Sequence, residues 1–251
     1  MFDFAINQIL PGLFLLTIGA IAPKSWKSIK TYFSITRHLR KVYRFDDRSR
    51  INVIIPTIHD HCFSDKEMIE FTSPLESTYA IKHFYINLLP LIKDTRLVRV
   101  FFSDELPPEA LEHDLIIIGG PVYNHITAKF FLNVKPAFSF DEYNICSSFS
   151  GNSYSAISTS GKIVQDYCAV YVDKNPWNKE KNIILFAGSR GFGSIGATEF
   201  LDSNLVKKAM LMLREKYSSK KPLFMIIKIG VDHLNSVQFK TVNPEVIECF
   251  Q

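Results

Sequence analysis

Asp114-Leu-Ile-Ile-Ile-Gly-Gly120 is the stretch that most limits what this chain folds into. Its apolar residues run without alternation, so both faces of the strand they form must be covered. That is the mark of a parallel sheet packed between helices. Asn182-Ile-Ile-Leu-Phe-Ala-Gly188 has the same character and also ends in glycine. Shorter apolar runs at Ile51-Asn-Val-Ile-Ile-Pro-Thr57, Arg96-Leu-Val-Arg-Val-Phe-Phe102 and 222–230 read as further strands. Helices are expected at 76–92, 107–113, 193–201 and 204–217. Strands alternating with helices predict an α/β domain over 51–251, Rossmann-like, with a mostly parallel sheet. Residues 136–180 break the pattern. Their β-branched content and alternation predict an antiparallel insert, closed by a turn at Asn175-Pro176-Trp177-Asn178. Residues 237–242 are expected as a last edge strand.

The amino-terminal segment has a different logic. Residues 4–22 carry no charge, and 19 residues of helix would reach about 28 Å, close to the thickness of a bilayer's hydrocarbon core. A transmembrane helix within 1–23 is therefore expected, the alternative being a buried helix. Nine Lys and Arg against two acids follow between 24 and 50. This block predicts a basic amphipathic juxtamembrane helix or linker, with the main domain cytoplasmic and the amino terminus outside. Because nine basic residues against two acids give the block a net +7 in a chain whose formal net charge is +4, the rest is slightly acidic. Nucleic acid is not an expected partner. The expected partners are a lipid bilayer, a small anionic ligand and, as an open option, a second copy of the chain. The four cysteines are far apart, which fits a reducing compartment better than a disulfide framework.

In open parallel sheets ligands bind outside the carboxyl ends of strands. Both glycine-ended strands would present their turns on that edge. Around the first turn, Gly119, Gly120, Tyr123, Asn124 and Thr127 are candidate ligand contacts: Tyr123 to stack, Asn124 and Thr127 to hydrogen-bond. Asn124 is equally suited to cap the helix that begins there. Around the second, Gly188, Ser189, Arg190, Gly191 and Gly193 are candidates, with Arg190 able to pair bidentately with phosphate or carboxylate. Gly191-Phe-Gly-Ser-Ile-Gly196 has the letters of a dinucleotide fingerprint but stands late in the chain, where that fingerprint does not belong. Its glycines serve equally well for close packing of helix on sheet. Glu199, on the helix after this turn, is a weak catalytic candidate, and Asp166 is a further available carboxylate. His59-Asp-His-Cys62 lacks the spacing of a zinc site, so no metal is expected. His59 and Asp60 remain weak candidates for the ligand edge. The cofactor is open, a nucleotide-type ligand being the leading option.

Ile184-Leu-Phe-Ala-Gly-Ser-Arg-Gly-Phe192 resembles the strand and Gly-Ser-Arg turn of the SLOG superfamily, which includes the DprA-like and LOG-like domains. The resemblance implies a Rossmann-type fold and nucleotide binding at Gly188, Ser189 and Arg190. Some members, fused to membrane segments, look like sensors in prokaryotic conflict systems. The expected function is thus a membrane-anchored cytoplasmic domain that binds a nucleotide-type or other anionic small molecule as sensor or effector. Two alternatives stand beside it. One is a membrane-tethered nucleosidase, NAD hydrolase or deoxyribosyltransferase-like enzyme; the other is an interaction protein whose glycine turns are only architectural.

Overall fold

A computed structural model describes residues 49–57, 97–200, 212–213, 218, 220–234 and 239–251, the side chains of 199 and 200 excepted. The expected segments at 1–23 and 24–48, the helices at 76–92 and 204–217, and His59 and Asp60 lie outside the described residues. Among those described, no helix is long and apolar enough to cross a membrane.

The apolar runs form strands. β1 (Ile51–Ile55) and β3 (Asp114–Ile118) are buried at every residue, as is β9 (Asn182–Gly188). β2 (Val98–Phe102) pairs parallel with β1 on one side, and β3 pairs parallel with β1 on the other. β9 then joins β3, also in parallel. The direction in which strands are added therefore reverses at β1. At such a switch point the connections leave to opposite sides and open a crevice at the carboxyl ends.

The expected antiparallel insert divides: its first half makes a small separate antiparallel sheet, while its second half joins the main sheet, which is mixed rather than mostly parallel. β8 (Lys162–Lys174) lies between β9 and β10 (Leu223–His233), antiparallel to both. The sheet runs β11-β10-β8-β9-β3-β1-β2, with β11 (Phe239–Phe250) antiparallel at one edge. β7 (Ile157–Thr159) pairs with the start of β8 through a two-residue turn. Both turn residues, Ser160 (φ 52°) and Gly161 (φ 73°), have positive φ, as the twist of a tight hairpin demands. The reason for β8's placement is in its composition. Cys168-Ala-Val-Tyr-Val172 is buried throughout, and a run apolar on both faces needs neighbours on both sides and layers above and below.

β4 (Phe138–Asp141), β5 (Asn144–Ser147) and β6 (Ser153–Tyr154) make a separate three-stranded antiparallel sheet. Glu248 of β11 ties it down. Its carboxylate accepts from Ser147 Oγ at 2.7 Å and Ser150 Oγ at 2.5 Å, and from the Tyr154 hydroxyl. Phe138 packs edge-on against Phe224 of β10, and Phe149 stacks on Phe250. These contacts fix where the β4–β5 hairpin sits, and the hairpin forms one wall of the site described next.

Two described α-helices complete the fold. α1 (His125–Asn133) follows β3 and α2 (Gly191–Phe200) follows β9. The expected short helix before β3 is a 3-10 turn at Pro108–Glu112.

Candidate functional site

The carboxyl ends of β1, β3 and β9 meet under the β4–β5 hairpin and enclose a cleft. It holds roughly 540 Å3 counted out to its open mouth. Its floor is the two glycine turns, which touch each other. A Cβ on Gly120 would lie 2.6 Å from the Gly188 carbonyl oxygen, and one on Gly119, already at φ 107°, would lie 2.5 Å from Pro56 Cγ. Only glycine lets these backbones approach so closely.

Of the residues expected to contact a ligand, Gly119, Gly120, Tyr123, Gly188, Ser189, Arg190 and Gly191 line this one cleft. Asn124, Thr127 and Gly193 do not line it. The first two are buried beneath the turn and shape it. Asn124 caps α1, its Oδ1 accepting from the amides of Ile126 at 3.0 Å and Thr127 at 3.2 Å. Its Nδ2 donates to the Ile118 carbonyl at 2.9 Å, and Thr127 Oγ1 donates to the Gly119 carbonyl at 2.9 Å. The capping role foreseen for Asn124 is therefore the one its side chain performs.

Gly193 faces the other way, into the sheet. Its amide donates to Asp166 Oδ2 at 2.5 Å, while Asp166 Oδ1 accepts from the amides of Tyr167 at 2.7 Å and Arg190 at 3.2 Å. Asp166 comes from β8 and is fully buried. Its carboxylate thus occupies the amino terminus of α2, where the expectation was a ligand anion on the turn's amides. A negative group is favoured there by the unpaired amides and the helix dipole, and the chain supplies its own. Burial raises the Asp166 carboxyl to about 7, against the downward pull of the three amides and of Arg190.

With these amides engaged, the cationic group that the turn brings to the cleft is the Arg190 side chain. Its Cζ lies 3.6 Å from the centroid of the Tyr143 ring, within cation–π range. Tyr143 sits at the tip of the β4–β5 hairpin, and its carbonyl accepts from Ser189 Oγ at 2.5 Å. Tyr123 approaches from the other wall, its hydroxyl 3.4 Å from that of Tyr143. Beside Tyr143, Glu142 holds φ 51°, a conformation unusual for a residue with a side chain and often found near binding sites. Tyr143, Glu142, Phe140 and Pro56 line the cleft without having been expected there. No local pattern announces them, because they arrive through strand pairing and the Glu248 anchor.

On the same edge, toward β2, Asp104 Oδ1 lies 2.6 Å from His125 Nδ1 and 3.3 Å from Ser103 Oγ, and Thr57 Oγ1 lies 3.0 Å from Ser103 Oγ. This cluster ties the ends of β1 and β2 to the start of α1. Glu199 falls on α2, eight residues beyond Gly191. Among the described residues no group of three or more His, Cys, Asp or Glu is arranged to hold a metal.

The chain matches no protein-family model, and no curated protein matches its sequence.

Proposed function

We propose that this chain is a membrane-anchored protein whose cytoplasmic, Rossmann-like domain binds a nucleotide-type or other anionic small molecule, as a sensor or effector. The observation that carries the reading is the meeting of Arg190, Tyr143 and Tyr123 in one cleft above two glycine turns. A guanidinium backed by an aromatic ring is held in place and shielded from bulk water on one face. It therefore binds a phosphate or carboxylate with less loss of freedom than a surface arginine. The resemblance of Ile184–Phe192 to the SLOG turn favours a nucleotide among the anions. The uncharged stretch at 4–22, followed by the basic block, supports the anchor and its orientation.

The test uses the full-length chain in mild detergent, melted with ADP, NAD, AMP and inorganic phosphate. At least one is expected to raise the melting temperature. Arg190→Ala is expected to weaken that ligand at least tenfold, since a charge-assisted hydrogen bond contributes about 1.5–3 kcal/mol. If none of the probes shifts the melt, or the variant responds like the wild type, the reading fails. The anchor has its own test. Carbonate-washed membranes are expected to retain the chain, and release into the supernatant would contradict the span.

A further inference from the structure

We propose that the cleft's ligand is an amphiphile, an anionic head held at Arg190 with an apolar chain laid in the groove beside α1. The inference rests on the cleft being an anion site, as argued above. The groove lies between α1 and β4 and encloses roughly 750 Å3 out to its open mouth. It shares Pro121 and Phe140 with the cleft, so the two are one continuous surface with Phe140 at the join.

The chemistry of the two parts differs. The cleft carries Arg190, two tyrosine hydroxyls and a carboxylate. The groove is lined mostly by carbon, with Phe131, Leu132 and Phe140 at its surface and the buried Phe138 behind Phe131. Lys135 adds an alkyl stem at the rim, as lysines do beside apolar surface. A nucleobase needs polar partners along its edges, and burying those edges against hydrocarbon leaves them unsatisfied. An alkyl chain has no such requirement. Leu132 is 83% exposed, next to the half-buried Phe131 on the same helix. Phe131 is held edge-on against Phe138 and Phe140, with ring centroids 5.6 and 5.4 Å apart. The groove floor is thus preformed, and Leu132 stands at its open side. Charge at one end and hydrocarbon along the rest define an alkyl phosphate or alkyl carboxylate as the fitting class.

The experiment titrates the full-length chain with methyl, butyl and hexyl phosphate, alongside hexanol and ADP, by calorimetry in one detergent buffer. Affinity is expected to rise with chain length, hexyl phosphate binding at least tenfold tighter than methyl phosphate. Leu132→Asp, at a position too exposed to matter for folding, is expected to collapse that ratio toward one. Equal affinity for methyl and hexyl phosphate would overturn the amphiphile while leaving the anion site standing. So would an unchanged ratio in the variant, hexanol binding as tightly as hexyl phosphate, or ADP binding more tightly than hexyl phosphate. If no phosphate binds at all, the anion site itself is wrong and the inference falls with it.

Discussion

Asp166→Ala is expected to lower the melting temperature by about 10 °C at pH 5, corresponding to about 3 kcal/mol, and the gap is expected to close mostly by pH 8. The loss comes from the amides of Arg190 and Gly193, which both donate to this carboxylate. With the carboxylate gone they face a buried hollow, and each unsatisfied amide costs about 1–3 kcal/mol. The pH dependence follows from the proton. In the fold the group titrates near 7, raised from an ordinary 3.8 by burial. Between those values the folded chain holds a proton that the unfolded chain has released. Stability contributed by this group is then fully present in acid and declines as pH rises toward 7, after which it is flat. Alanine has no proton to lose, so the advantage of the wild type shrinks over the same window. Parallel melts from pH 5 to 8 check this, and a gap that widens with pH would contradict it. Asp166 therefore does two things: it fills the helix terminus, and it makes the cleft-side turn more stable in mild acid.

The parallel half of the sheet was legible because its signal is local. Ile51–Ile55, Asp114–Ile118 and Asn182–Gly188 are each apolar on both faces, and the residues alone require a covered strand. The Asn124 cap was legible for the same reason, since a cap acts two and three residues away. β8 was assigned to an insert although Cys168–Val172 carries the same buried signal. Its polar opening, Lys162 to Tyr167, masked the run, and an antiparallel partner of distant sequence cannot be read from periodicity. The cleft was half legible. Its floor comes from glycine turns that end strands, and strand ends share an edge whenever the strands are parallel. Its roof comes from a hairpin whose position depends on Glu248, about a hundred residues downstream of Ser147 and Ser150. The capping of α2 by Asp166 was hidden in a similar way. The usual helix cap is a neighbour in sequence, but this one reaches across from the adjacent strand.

The glycines of α2 carry the largest packing effect. Gly193→Ala is expected to cost about 3 kcal/mol or more and to lower the melting temperature by about 10 °C. Intrinsic propensity alone argues the reverse, since alanine gains about 1 kcal/mol over glycine inside a helix. Geometry decides between them. A Cβ on Gly193 would overlap the carbonyl oxygen of Tyr167, lie 2.8 Å from its carbonyl carbon and come within 3.2 Å of Asp166 Oδ2. Those Tyr167 atoms belong to the backbone of β8, which is paired with β10 on one side and β9 on the other. The same carbonyl accepts the Ser189 amide at 2.8 Å. No rotamer change relieves the overlap, so α2 must move outward. That movement pulls Gly193 away from Asp166 and drags the Arg190 turn with it, damaging fold and cleft together. Gly196→Ala gives the comparison within one helix. There the three atoms nearest the added carbon all belong to the side chain of Ile229, the closest at 2.6 Å, and a side chain adjusts where a paired backbone does not. Its cost is expected to be the smaller of the two. Melts of both variants check the order, and a larger loss at Gly196 would show that contact with the β8 backbone is not what holds α2 in place. If the order holds, glycine at 193 is required by the approach of helix to sheet, and its amide is already taken by Asp166.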